Sequence, residues 1–247
     1  MSGHSKWATI KRKKGATDAA RAKLWSKLLR FVEVAARAGG GNPDGNPTLA
    51  TAIAKAKGAS VPNDNITRAI KRGTGELEGE AYEETSYEGY GPGGVALLVS
   101  CLTNNRNRTS QDVRAAFNGR GGKMAEPGAV AWMFEPKGIV LITAGATEED
   151  VFLAAADAGA EDVRATEDGI EVVTPADALG AVRDAIGSAG IEVESSELTQ
   201  IPKTTMELDE GDAKKVLGLI DALEELDDVQ DVYANFDISD DVLATIA

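Results

Sequence analysis

Apolar residues recur at helical spacing over the first third of the chain and at strand spacing after it. Leu24, Leu28, Val32 and Ala35 share one face of a helix that Thr17 or Asp18 can cap. It runs to about Ala38, where Gly39-Gly40-Gly41 stops it. Asn42-Pro43-Asp44-Gly45 is turn chemistry, and Asn46-Pro47 is a cap followed by proline at the first helical position. Leu49, Ile53 and Ala56 face the next helix inward, and Gly58 ends it. Ile66 and Ile70 mark a third, short helix closed by Gly73. The Gly/Glu stretch from Gly73 to Glu84 has no period and reads as a linker.

Beyond the linker, Thr85–Tyr90 and Val95–Thr103 read as strands joined by Gly91-Pro92-Gly93-Gly94. Thr109-Ser110-Gln111-Asp112 fits a capping box opening a helix that ends near Gly119, and Ala129–Phe134 reads as a strand. The next stretch is self-contained. Ile139–Thr143, Asp162–Thr166, Gly169–Thr174 and a strand opening at Ile191–Glu194 alternate with helices capped at Thr147–Asp150 and at Thr174–Asp177. That order is βαββαβ, the ferredoxin-like split arrangement. Strand Thr204–Leu208, a helix from about Gly211 to Leu226 and strand Val232–Ile238 complete a second such set begun before the insertion. The fold class expected is α+β in three domains. A basic helical domain spans 1–76, a discontinuous α/β domain 77–136 and 200–247, and an inserted α/β domain 137–199.

Composition narrows the chemistry. At 247 residues and 43% apolar, the chain buries real cores and is not disordered. Apolar runs such as Val95–Val99 and Ile139–Ile142 are too short to span a bilayer, and the N-terminus lacks the apolar core of a secretory signal. A cytoplasmic protein without membrane association is expected. One Cys and one His exclude an intrachain disulfide and, effectively, a His/Cys zinc site. No nucleophile–base pair or nucleotide loop is visible, so no cofactor, small-molecule substrate or enzymatic activity is expected.

Charge is the strongest clue. Residues 1–72 hold 15 Lys/Arg against four acids, a net of +11, whereas the remaining residues carry −25. A cationic head on an anionic body seeks polyanions at one end, and nucleic acid is the commonest polyanion. The candidate contacts are Lys6 and the run Lys11-Arg12-Lys13-Lys14 on a basic arm, then Arg21, Lys23, Lys27, Arg30 and Arg37 along the first helix, and Lys71 and Arg72 on the third. For the arm the alternative is a solvated tail, although Trp7 and Ile10 beside it are apolar anchors. For the stripe Lys23, Lys27, Arg30, Arg37 it is an ordinary helix exterior. Asn63 and Asn65 are the nearest candidates for base readout, with N-capping the simpler explanation. Asn105-Arg106-Asn107-Arg108 places two cations beside a helix start, a candidate anion-binding loop, with a salt bridge to Glu88 or another acid as the competing reading. Acid clusters at Glu207–Asp212 and Glu224–Asp228 lack EF-hand spacing.

Several stretches resemble the YebC/PmpR family. They are Gly3-His4-Ser5-Lys6-Trp7, Ile10-Lys11, Lys13-Lys14, Ala35–Gly40, Asn46-Pro47, Pro62–Ile66, Arg68–Gly73, Tyr87–Gly94 and Asn105–Thr109. The similarity covers essentially the whole chain. Asn104 and Ala125 depart from the family pattern, which has Asp and Gly there. The resemblance implies a helical domain followed by two α/β domains, and a DNA-binding transcriptional regulator. The family also includes the mitochondrial translational activator of cytochrome c oxidase and translation factors that relieve ribosomes stalled at proline runs. The expected partner is therefore nucleic acid, DNA or ribosomal RNA. The alternative is a ribosome-associated translation factor, which the acidic body favours because duplex DNA gives that body no role.

Overall fold

The computed structural model describes residues 18–143, 145–166, 169–239, 242 and 245. These form two compact units, the described residues up to 133 with those from 204 onward, and the described residues between 134 and 203. None of the described helices is long and apolar enough to cross a membrane.

The first unit begins with three helices, α1 (Asp18–Gly39), α2 (Pro47–Gly58) and α3 (Asn63–Gly73). Their facing apolar residues, among them Leu28, Val32, Leu49, Ala52, Ile66 and Ala69, close a small core of their own. Asn46 does two jobs. Its Oδ1 accepts from Leu49 N–H to cap α2, and its Nδ2 donates to the Ala35 and Gly40 carbonyls, tying off the end of α1. Gly73 is required where α3 crosses α1, because a Cβ there would sit 2.3 Å from the Glu33 carbonyl oxygen.

The α/β part of this unit carries β1 (Glu83–Tyr90), β2 (Ala96–Thr103), α4 (Arg106–Gly119) and β3 (Lys123–Met124). In the second unit follow β4 (Phe134–Ile142), α5 (Glu148–Ala155), β5 (Asp162–Thr166), β6 (Gly169–Pro175), α6 (Leu179–Ser188) and β7 (Ser195–Pro202). The chain then returns to the first unit with β8 (Met206–Glu207), α7 (Glu210–Glu224), β9 (Val229–Ala234) and β10 (Phe236–Asp237). The chain is thus α+β, with seven helices among the described residues.

The second unit is an antiparallel sheet in the order β5-β6-β4-β7, the ferredoxin-like order for βαββαβ. Val140, Ile142, Ile170 and Val172 pack against Val151, Leu179, Val182 and Ile186 of its two helices. The sheet of the first unit, β3-β1-β2-β9, has the same layout but a different filling. Strand β1 occupies the inner position beside β2, and the expected Thr204–Leu208 strand shrinks to Met206–Glu207, paired with Phe236–Asp237 outside that sheet. Leu97, Val99 and Cys101 face α4 and α7 through Val113, Phe117, Val216 and Ile220. Burial pushes the Cys101 thiol up to about 12, so it is an inert core residue.

Three local expectations are corrected. Residues 129–133 are not strand, because the Glu88 carboxylate accepts the Gly128, Val130 and Ala131 N–H groups that a ladder would need; the strand starts at Phe134. Helix α4 opens at Arg106 with Asn105 as its cap, three residues before Thr109, whose hydroxyl is buried. Helix α6 opens at Leu179 with no side-chain cap, since Thr174 and Pro175 still belong to β6.

Candidate nucleic-acid interface

The arm residues Lys6, Lys11, Arg12, Lys13 and Lys14 lie outside the described residues. The remaining predicted contacts separate into two sets.

The first set is spent within the molecule. Lys23, Lys27 and Arg30 recur at i, i+4, i+7 and so share one face of α1. That face meets the end of α7. Lys23 donates to the Glu225 carbonyl oxygen and pairs with its carboxylate at 3.1 Å. Lys27 donates to the Glu224 carbonyl at 2.7 Å. Arg30 donates to the Leu102 and Asp227 carbonyls and to Asp228 at 3.1 Å, and its guanidinium lies 4.8 Å from the Tyr82 ring centre. A helix C-terminus presents unsatisfied carbonyls and a negative dipole end. Acids there are unfavourable unless cations arrive, and α1 brings them.

Asp228 is the hub of this contact. Its side chain is 8% exposed. Besides Arg30 it accepts from Arg108 at 2.7 Å, Thr109 at 2.7 Å and Thr103 at 3.1 Å. Burial alone would raise its carboxyl. The Arg108 and Thr109 hydrogen bonds, the Arg108 charge and the Thr103 bond outweigh burial and hold it below the ordinary carboxylate range. One carboxylate therefore joins α1, β2, α4 and the α7–β9 turn.

The predicted loop Asn105–Arg108 belongs to the same hub. Asn105 caps α4 through Arg108 N–H. Arg108 pairs with Asp228, and Arg106 lies 3.7 Å from the Glu83 carboxylate. The salt-bridge reading describes this geometry, with Asp228 and Glu83 as partners, while Glu88 is occupied by backbone N–H groups.

The second set faces solvent. On α3, Ile66 and Ala69 point into the core while Asn63, Thr67, Arg68 and Lys71 are exposed. Asn63, Thr67 and Lys71 form an i, i+4, i+8 stripe with Arg68 beside it. Among the described residues, Arg68 and Lys71 side chains make no ion pair. N-capping does not account for Asn63 and Asn65: Pro62 holds the cap position and no side chain caps α3. Arg37 and Arg72 flank this surface and share the buried Glu33 carboxylate, at 3.1 and 3.9 Å. Arg21 is exposed near the start of α1. Thr67 and Arg68 escaped the sequence reading of the site; the position of the apolar stripe Ile66, Ala69, Ile70 would have marked them as its opposite face.

Comparison with known proteins covers almost the whole chain. Residues 5–76 match the family described as TACO1/YebC protein N-terminal domain, and residues 82–236 match TACO1/YebC second and third domain. The chain is 57% identical to a probable transcriptional regulatory protein of Frankia casuarinae, over 100% of this chain and 99% of the relative. It is 53% identical to one of Geotalea uraniireducens, over 98% of each. The crystal structure of a conserved hypothetical protein from Aquifex aeolicus superposes with a TM-score of 0.82 at 47% identity, covering 90% of this chain and 93% of that one. With both family regions matched in order along the chain, the protein belongs to the TACO1/YebC family.

Proposed function

We propose that the chain is a nucleic-acid-binding regulator of gene expression that grips its target through the basic arm and the exposed face of α3. The observation that carries this reading is the fate of the cations. Arg68 and Lys71 stand on a solvent-facing helix with Asn63 and Thr67, where Asp64 is the one acid, while the α1 cations Lys23 and Arg30 are paired with Glu225 and Asp228. Lys71 and Arg68 suit phosphate, and Asn63 at the helix start is placed as a base-reading group would be in a groove-inserted helix. The names of the relatives favour DNA as the target.

A second reading, a ribosome-associated translation factor, is favoured by the anionic body, for which duplex DNA offers no partner. The test is to measure footprinting on genomic promoter fragments under excess competitor DNA alongside co-sedimentation with ribosomes. A footprint with no co-sedimentation supports the DNA regulator. Co-sedimentation with discrimination between naked DNA sequences below about 10³-fold supports the ribosomal reading. Binding to neither contradicts the proposal.

A further inference from the structure

We propose a second contact for nucleic acid on the α/β part of the first unit: Tyr90 and Trp132, with Lys123, form a stacking platform for an unpaired base. The proposal rests on the nucleic-acid reading above and specifies what this surface adds to it. Trp132 is 66% exposed and Tyr90 41% exposed, in a chain with few aromatics. The Trp132 indole N–H and the Tyr90 hydroxyl both donate to the Ala129 carbonyl oxygen, at 3.1 and 3.2 Å. A carbonyl has two lone pairs, so both are used and the indole's only donor is spent. What Trp132 still offers is its ring.

The support beneath the rings is fixed. Glu88, 6% exposed, accepts N–H groups from Gly128 at 2.6 Å, Val130 at 2.6 Å and Ala131 at 2.8 Å. Burial alone would raise its carboxyl; the three N–H bonds prevail and hold it below the usual range. The loop that carries Trp132 is thereby ordered before any ligand arrives, which lowers the entropy cost of binding. Lys123 is the direct cross-strand partner of Tyr90, so both side chains leave the same face of the sheet. Gly89, the neighbour of Tyr90, faces Phe117 in the core, which places Tyr90 on the face away from α4 and α7.

Charge selects the class of ligand. Lys123 is the exposed cation on this face and makes no ion pair among the described residues, whereas Arg106 and Arg108 are paired with Glu83 and Asp228 on the α4 side of the sheet. Glu126 is the one acid between Lys123 and Trp132 along the chain. Aromatic faces beside a lysine suit a base and its phosphate, and stacking on rings is tolerant of sequence. Bases within a duplex are already stacked, so the platform distinguishes single strands from duplexes.

The test uses the full chain with a 15-nucleotide single strand, as RNA and as DNA, and the DNA duplex of the same sequence. Trp132→Ala, at an exposed position, is expected to weaken single-strand binding about 10-fold while duplex binding changes less than about twofold. Trp132→Phe is expected to retain most of the affinity, and single-strand quenching of the protein's fluorescence should diminish in it by the share that Trp132 contributes beside Trp7 and Trp25. Arg68→Ala/Lys71→Ala should weaken both ligands. Wild-type binding to neither ligand would defeat the nucleic-acid reading and this proposal with it. Wild-type binding with an unchanged Trp132→Ala affinity and undiminished quenching in Trp132→Phe would overturn the platform alone and assign the exposed rings to a protein partner.

Discussion

Two cationic helix faces in the head began with similar claims on a polyanion and end differently. The α1 face, Lys23, Lys27 and Arg30, finds its anions in its own chain: the carbonyl end of α7 and the carboxylates of Glu225 and Asp228. The α3 face, Arg68 and Lys71, leaves its charges in water. A net charge of +11 counts both equally. The location of the compensating acids decides which cations hold the fold and which remain available to a ligand.

The contrast can be broken hardest at Asp228. Replacing it with Ala leaves Arg30 and Arg108 without their shared carboxylate and removes an acceptor from the buried Thr103 and Thr109 hydroxyls. Loss of a buried partner costs up to about 3–5 kcal/mol, so the unfolding free energy from urea denaturation should fall by an amount of that order. A change below about 1 kcal/mol would mean that the hub is solvated.

Acid should act on the same hub with less effect. The Asp228 and Glu88 carboxyls are held below their ordinary values in the folded chain. The unfolded chain therefore takes up these protons at higher pH than the folded one. Their stabilising contribution is complete above the unfolded values, about 3.9 for Asp and 4.3 for Glu, and is lost as pH falls through the lower folded values. Thermal melts from pH 7 downward should show constant stability from these groups and then a decline below about pH 4. The decline should be shallower in Asp228→Asn; an identical decline would remove Asp228 from the account.

The smallest effect belongs to Lys23→Ala/Lys27→Ala. Partly exposed pairs contribute about 1 kcal/mol or less each, so the melting temperature should fall by a few degrees at most. No change in melting would mean that this face of α1 is not held by α7.

Much of this arrangement was legible in the sequence. The i, i+4 spacing from Leu24 to Ala35, the Asn46-Pro47 start and the Thr147–Asp150 box all predicted elements that local chemistry alone determines. Two of the misses share a cause, competition from distant groups. Glu88 took the backbone donors of Val130 and Ala131 from a strand, and Asp228 drew Thr109 from a cap into the core, leaving Asn105 to begin the helix. For the same reason the docking of the Lys23–Arg30 stripe was not readable from α1 by itself. One signal for it did exist: Glu224, Glu225, Asp227 and Asp228 crowd a helix C-terminus, where acids are unfavourable without cations.

The central claim is that the α3 face carries affinity and the α1 face carries structure. The most direct test is the salt dependence of duplex DNA binding by the full chain, compared between Arg68→Ala/Lys71→Ala and Lys23→Ala/Lys27→Ala. Each lost phosphate contact should flatten the log–log slope by about 0.9. The α3 pair is predicted to flatten it by about 1.8, two contacts' worth, and the α1 pair to leave it unchanged. A flattened slope in the α1 pair with an unaltered one in the α3 pair would contradict the account.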